Sequence, residues 1–313
     1  MHAFRHRARK YSRSMPLLTS SVGRRSRPVR HHVDPRWTMA FAAALGDMDP
    51  HYLDNRAGRA VVAHPMFPNC LEWGTFQEAG VPGSETLDDD EAVRAVHGTY
   101  ELELSRPLWS GEVLTSQVSV EVVERRRPGG YRVVRIDGTD EAGTPVWVGR
   151  WGQLYLGIDV DDDAGTSAAA ANPAAAGVAS GTPGDPQKEG VESETTIPLP
   201  ANFAHTYTEC ARIWNPIHTD AGVAERAGLP GPILHGSATL AVAVSRVVAD
   251  HAGGDPTQVR RIVGRFGAMV RLPSELRLQV TSVTPRAGRR AVTFHVLNAD
   301  GGQAVRDGLV ELG

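Results

Sequence analysis

The chain reads as an α+β protein made of two like halves in tandem, each a long helix wrapped by an antiparallel sheet. Three observations lead there. Residues 159–188, "DVDDDAGTSAAAANPAAAGVASGTPGDPQK", carry no bulky apolar periodicity and divide the chain into regions of similar size. The order of elements is similar on either side of that seam. In the second region, "GSATLAVAVSRVVADH" is apolar enough for a buried helix from about Gly236 to about His251, and strand-period runs follow it.

In the first half, Trp37, Phe41 and Leu45 recur at a spacing of four and predict a helix that stops at Gly46. A Pro- and Gly-bearing segment through "VVAHPMFPNCLEW" follows, and residues 69–80 predict a shorter version of the long helix. Strand-like runs come next: "HGTYELELSRPL", "GEVLTSQVSVEVVERRR", "GYRVVRIDGTDEAG" and "TPVWVGRWGQLYLGI". Val118, Val120 and Val122 alternate with Ser119 and Glu121, the mark of a strand with one wet face. "RRPGG" and "DEAG" predict turns between antiparallel neighbours.

The second half repeats the order. "AGVAERAGLP" is a short helical segment stopped by Gly228 and Pro230, and the long helix follows. Four strand-like runs then close the chain: "VRRIVGRFGAMV", "ELRLQVTSVTP", "RRAVTFHVLNADG" and "QAVRDGLVELG". "NADGG" is a hairpin signal. The expected organisation is a basic, disordered arm over 1–32, a first unit over 33–158, a linker over 159–195 and a second unit over 196–313. Residues 1–33 hold nine Arg or Lys and no acid. A disordered arm, a targeting segment and an over-extended start before Met15 are all compatible with that pattern.

Composition excludes several classes. With 313 residues, 41% of them hydrophobic, the chain can bury a large core. A net charge of -3 argues against a broad nucleic-acid face, and no apolar run reaches the length of a membrane span. The two cysteines, Cys70 and Cys210, stand far apart and fit neither zinc spacing nor a disulfide framework, so a reducing, cytoplasmic compartment and no metal are expected. Phosphate-loop, dinucleotide and Gly-x-Ser-x-Gly patterns are absent.

The densest chemistry lies in "ARIWNPIHTD", where an Asn-Pro turn presents His218, and in "GPILHGSATLA", where His235 and Gly236 open the long helix. Asn215, Pro216, Ile217 and His218 match an Asn-Pro-hydrophobic-His run. Pro232 through Gly236 match a Pro-hydrophobic-Leu-His-Gly run. Together they resemble the R-specific enoyl-CoA hydratase / MaoC-like dehydratase family. "ALGDMDPHY" and "VVAHPMF" are a degenerate echo in the first half, so the resemblance is to double-hotdog members and covers about 33 to 313 apart from the seam. It implies two tandem hotdog units, a long helix wrapped by a curved sheet in each, as a monomeric pseudodimer or a homodimer of such chains.

The resemblance also implies reversible water addition to a 2-enoyl-CoA. In the family an Asp and a His on the hallmark loop share the water, and a backbone N–H near the helix start supports the thioester oxygen. Carried onto this chain, His218 takes the His role and Gly236 the oxyanion role, and Asn215 steadies the loop or the water through its amide. His235 lines the pocket or caps the helix. CoA is part of the substrate, so no separate cofactor is implied. Arg260, Arg261 and Arg265 could meet its phosphates or form a solvated strand face. Arg212 could neutralise an acidic acyl group or pair with Glu209.

One departure is chemical. The family's Asp lies two residues before the Asn, where this chain has Ile213, with Arg212 in place of the preceding Gly. In the first half Asp47 matches the Asp, but Asp49 replaces the Asn and Tyr52 stands where the His belongs. Three explanations remain: Glu209, Asp220 or Asp47 supplies the acid; His218 works alone; or the site only binds thioesters. The alternatives to a hydratase are therefore an impaired thioester-binding protein or inactive subunit, and a hotdog thioesterase, because the fold hosts both.

Overall fold

A computed structural model describes residues 15–92, 94–161, 190–286 and 288–313. Its ten strands, among the described residues, are β1 Val29–His32, β2 Ala95–Leu104, β3 Val113–Arg126, β4 Gly129–Thr139, β5 Pro145–Leu156, β6 Ser193–Leu199, β7 Val259–Phe266, β8 Ser274–Arg286, β9 Arg289–Leu297 and β10 Gln303–Leu312. The helices are α1 Pro35–Ala44, α2 Pro50–Leu53, α3 Pro68–Ala79, α4 Asp89–Ala92, α5 Phe203–Ala211, α6 Ala221–Arg226 and α7 Gly236–His251.

All ten strands form one antiparallel sheet in the order β1-β3-β4-β5-β2-β7-β10-β9-β8-β6. Five strands from the first half and five from the second meet where β2 pairs with β7, in the register Tyr100↔Gly264 and Leu102↔Ile262. This is a double-hotdog fold, with α3 against β1, β3 and β5 and α7 against β7, β9 and β10. Alternation along β3 points Leu114, Val118 and Val120 into one core shared with α3 and α7. The hairpin at "NADGG" closes as its residues require. Asn298 Oδ1 accepts from the N–H groups of Asp300 (3.1 Å) and Gly302 (2.8 Å), and Gly301 adopts φ 79°.

The basic arm is corrected in part. Residues 15–32 pack on the body: Leu17 is 1% exposed, its N–H donates to the Asp159 carbonyl, and β1 pairs with β3 from Val29↔Ser116 to His32↔Val113. Val29 and His31 point inward while Arg30 and His32 face solvent, so a period-two strand lies within a sequence whose charge suggests disorder. Within the expected linker, Val160 is buried and β6 begins at Ser193. Residues 1–14 of the arm and 162–189 of the linker lie outside the described residues.

α1 and α5, one from each half, pack on each other. The Trp37 indole on α1 donates to the carbonyl of Cys210 on α5 at 2.9 Å. That bond ties the first half to the segment that carries residues 211–220.

A chain beginning at Asp34 loses Leu17, Val29, Val33 and the whole of β1. We expect it to melt lower than the full chain by on the order of 10 °C, from the apolar area no longer buried. Circular dichroism melts of the two proteins check this.

Candidate active site

The second half places its motif residues at the start of α7. Asn215 caps a 3-10 turn over Pro216–His218, its side-chain oxygen accepting from the Ile217 N–H, and the turn sets His218 inward at 9% exposure. His218 Nδ1 lies 2.7 Å from the Ile233 carbonyl. A carbonyl only accepts, so Nδ1 carries the proton and Nε2 keeps its lone pair. Burial lowers the imidazole to about 4, with the Ile233 bond opposing, and His218 is neutral near pH 7.

His235 is stacked on His218, with centroids 3.5 Å apart and planes at 27°. It precedes α7 but makes no side-chain cap. Its Nε2 instead meets the Ile213 carbonyl at 3.3 Å, which places the proton on Nε2. Burial first, and His218 second, hold it well below the usual imidazole range. Tyr207 on α5 lies 5.0 Å from the His235 ring, and its hydroxyl donates to Ser237 Oγ at 3.2 Å.

Gly236 is the first residue of α7, where helix N–H groups have no partner within the helix and the dipole is positive. A Cβ there would meet the Phe266 ring at 2.8 Å. Glycine is therefore needed for the helix to start this close to β7.

The other candidates fall elsewhere. Asp47 is hydrogen-bonded to Ser245, ten residues beyond His235 on α7, which is about 15 Å along a helix. It does not reach His218. Asp220 is exposed and spends its carboxylate capping α6, accepting from the Val223 N–H at 2.9 Å. Glu209 is exposed and accepts from the Trp214 indole at 3.4 Å. The structure thus brings none of the three acids to the His218 ring, because each answers a local cap, indole or hydroxyl. Arg212 adopts φ 57° and lies 4.1 Å over the Trp37 ring rather than pairing with Glu209. The arginine cluster is also committed. Arg261 pairs with Glu101 (2.6 Å) and Glu311 (3.6 Å) across neighbouring strands, Arg265 pairs with Asp307 (3.2 Å), and Arg260 donates to the Thr257 and Val259 carbonyls.

Ile213 itself is 3% exposed and packed in the core, its N–H bonded to the Thr208 carbonyl. The position that would hold the acid is apolar in its surroundings as well as in its side chain.

Sequence reading missed Tyr207, Ser237 and Glu72. Glu72 on α3 is fully buried and accepts from Tyr100 (3.0 Å), Trp147 (3.1 Å) and Trp151 (2.6 Å). Burial raises its carboxyl to about 7, against those three donors. A lone acid within "NCLEWGTF" was the only signal, and nothing in sequence says which face of the helix is buried.

The first half mirrors the site imperfectly. Tyr52 lies over His64 with centroids 5.5 Å apart, as His218 lies over His235. His64 Nδ1 accepts from the Met66 N–H, so Nε2 donates to Ser245 Oγ at 3.0 Å. After His64 comes Pro65, which has no N–H to offer where Gly236 offers one.

Two surface clefts of about 480 and 340 Å3 are lined by neither histidine of the stacked pair. The smaller includes Met269, beside Val270, whose carbonyl accepts from the Leu234 N–H at 2.8 Å. It therefore adjoins the segment that leads to His235. Among the described residues no helix is long and apolar enough to cross a membrane.

A MaoC-like domain model matches residues 182–300, and a FAS1-like dehydratase-domain model matches residues 20–148. A UPF0336 protein of Streptomyces coelicolor is 31% identical over 150 residues, 45% of this chain and 95% of that protein. The 3-hydroxyacyl-thioester dehydratase Y of Mycobacterium tuberculosis is 25% identical over 95% of this chain and 99% of its own. The peroxisomal enoyl-CoA hydratase 2 of Arabidopsis thaliana is 47% identical over 53 residues, but this chain spans only 17% of that enzyme's length. The crystal structure of a MaoC-like dehydratase from Phytophthora capsici shares the fold, with TM-score 0.73 and 19% identity over 93% of this chain and 95% of that one.

Two outcomes are expected. Ile213→Asp puts a carboxylate among apolar neighbours and should destabilise the chain by on the order of 3 kcal/mol without raising turnover, read by urea denaturation and by assay. Stability should also fall on acidification. His31 and His218 sit near 4, and His64 and His97 near 3, all lowered chiefly by burial. Each folded value lies below the unfolded value of about 6.5, so the stability these rings contribute is complete above that pH and is lost as pH falls towards 4 and then 3. Glu72 runs the opposite way, losing stability as pH rises through about 7. Urea midpoints should therefore be lower at about pH 5 than at about pH 7. Glu72→Gln should steepen that drop.

Proposed function

Since the chain belongs to the MaoC-like, double-hotdog dehydratase family, we propose that it adds water reversibly to a 2-enoyl-CoA, with His218 as the base. The observation that carries this reading is the fixed tautomer of His218 beside the open start of α7. Nε2 takes a proton from water as the water oxygen bonds to C3. Electrons shift through C2 to the thioester oxygen, where the N–H at Gly236 and the helix dipole meet the growing negative charge. The imidazolium then returns the proton to C2, which restores the thioester carbonyl and the neutral ring. Dehydration is the same path reversed. The dehydratase name of the M. tuberculosis relative supports the class of substrate, an acyl thioester.

A second reading, thioester binding without turnover, is favoured by the buried Ile213 in the acid's position. The two are separated by mixing the protein with 2-enoyl-CoAs of several chain lengths and following the enoyl-thioester absorbance. We expect the band to decay with wild-type protein. His218→Ala should lower kcat/KM by about 10²-fold or more while the variant still binds the thioester. Binding without decay in the wild type would favour the second reading.

A further inference from the structure

The stacked pair holds one acceptor that the mechanism above leaves unused. Both rings are locked by backbone carbonyls in complementary ways. His218 donates from Nδ1 to Ile233 and presents Nε2, whereas His235 donates from Nε2 to Ile213 and presents Nδ1. His235 is 3% exposed, and its Nδ1 meets no hydrogen-bond donor among the described residues. A buried acceptor left unmade is costly, on the order of 1–3 kcal/mol. Tyr52, His97 and His295 also bury an unpaired polar atom, but the one on His235 lies on the ring stacked against His218, where a substrate water is the donor that would meet it. The backbone atom that fixes the ring belongs to Ile213, the residue standing where the family's acid is expected.

We infer that His235 is a second catalytic residue, its Nδ1 accepting one hydrogen of the attacking water while His218 Nε2 accepts the other. Two acceptors on stacked rings whose centroids lie 3.5 Å apart would hold both O–H bonds of one water and leave an oxygen lone pair for C3. In this role a neutral imidazole replaces a carboxylate, which the apolar packing around Ile213 would not keep charged. His218 remains the group that carries the proton to C2, so the atom balance of the reaction is unchanged. The inference rests on the hydratase reading and deepens it.

Two near-isosteric substitutions separate this role from a structural one. His235→Gln places an amide N–H where Nε2 is, keeping the bond to the Ile213 carbonyl, but puts no acceptor at the Nδ1 position. His235→Asn does the reverse, with its amide oxygen near Nδ1 and no reach to Ile213. Full-length wild type and both variants are assayed for kcat and KM on trans-2-butenoyl-CoA and longer straight-chain 2-enoyl-CoAs, with melting temperatures measured in parallel. We expect His235→Gln to keep its melting temperature and lose about 10²-fold in kcat with little change in KM. His235→Asn should melt lower yet turn over about tenfold faster than His235→Gln, the worth of one retained hydrogen bond. The opposite order, with His235→Gln active and His235→Asn dead, would overturn the assignment and leave the hydratase reading standing. A wild type that turns over none of these thioesters would overturn both.

Discussion

The buried length of α7 is the constraint on which the rest depends. Residues Ser237 to Val244, with Val247 and Val248, are all buried, and the apolar ones among them belong to a core that both halves share. Leu240, Val242, Val244 and Val247 are each worth about 1.5–3 kcal/mol once out of water. β7, β9 and β10 pack against them, and residues of the first half join the same core. The β2–β7 pairing makes that cover continuous, and the Arg261–Glu101 ion pair spans it. The site is a consequence: a helix buried along its length has its N-terminus buried too, and unsatisfied N–H groups in that setting are suited to a developing anion.

The two halves carry unlike versions of one motif. The second half has the histidine and the glycine, with Ile213 at the position where the family resemblance expects an acid. The first half has Asp47 at that position, with Tyr52 in place of the histidine and Pro65 in place of the glycine. Asp47 does not reach His218, because it is bonded to Ser245, ten residues along α7 from His235. In the first half His64 donates to Ser245, which is bonded to Asp47, while the Tyr52 hydroxyl is buried without a partner among the described residues. In the second half His235 Nδ1 is likewise buried without one.

Burial of neutral polar groups is general in this protein. His31, His64, His97, His218 and His235 are all kept below the usual imidazole range by desolvation, and Glu72 is kept above the usual carboxylate range by the same cause. His31 is held by the hydroxyls of Thr75 and Ser116, and Glu72 by two indoles and a phenol. Such groups are far less costly to bury uncharged than charged.

The amino-acid order alone determined the tandem plan, the approximate bounds of α7, the strand periods and, through the motif resemblance, the association of His218 with the Gly236 segment. Each of these is local, set by spacing along at most a few turns of chain or by a short motif. It misjudged β1, because four alternating residues amid arginines carry less signal than the charge around them. It left Glu209, Asp220 and Asp47 as equal candidates for the acid, since proximity in sequence does not say what a carboxylate hydrogen-bonds. Only the tertiary structure decided that all three are occupied elsewhere, that Glu72 is buried, and that the His235 ring lies on His218 with a free Nδ1. Those facts depend on where α5, α7 and the 211–220 loop meet, and that meeting is fixed by packing between residues far apart in the chain.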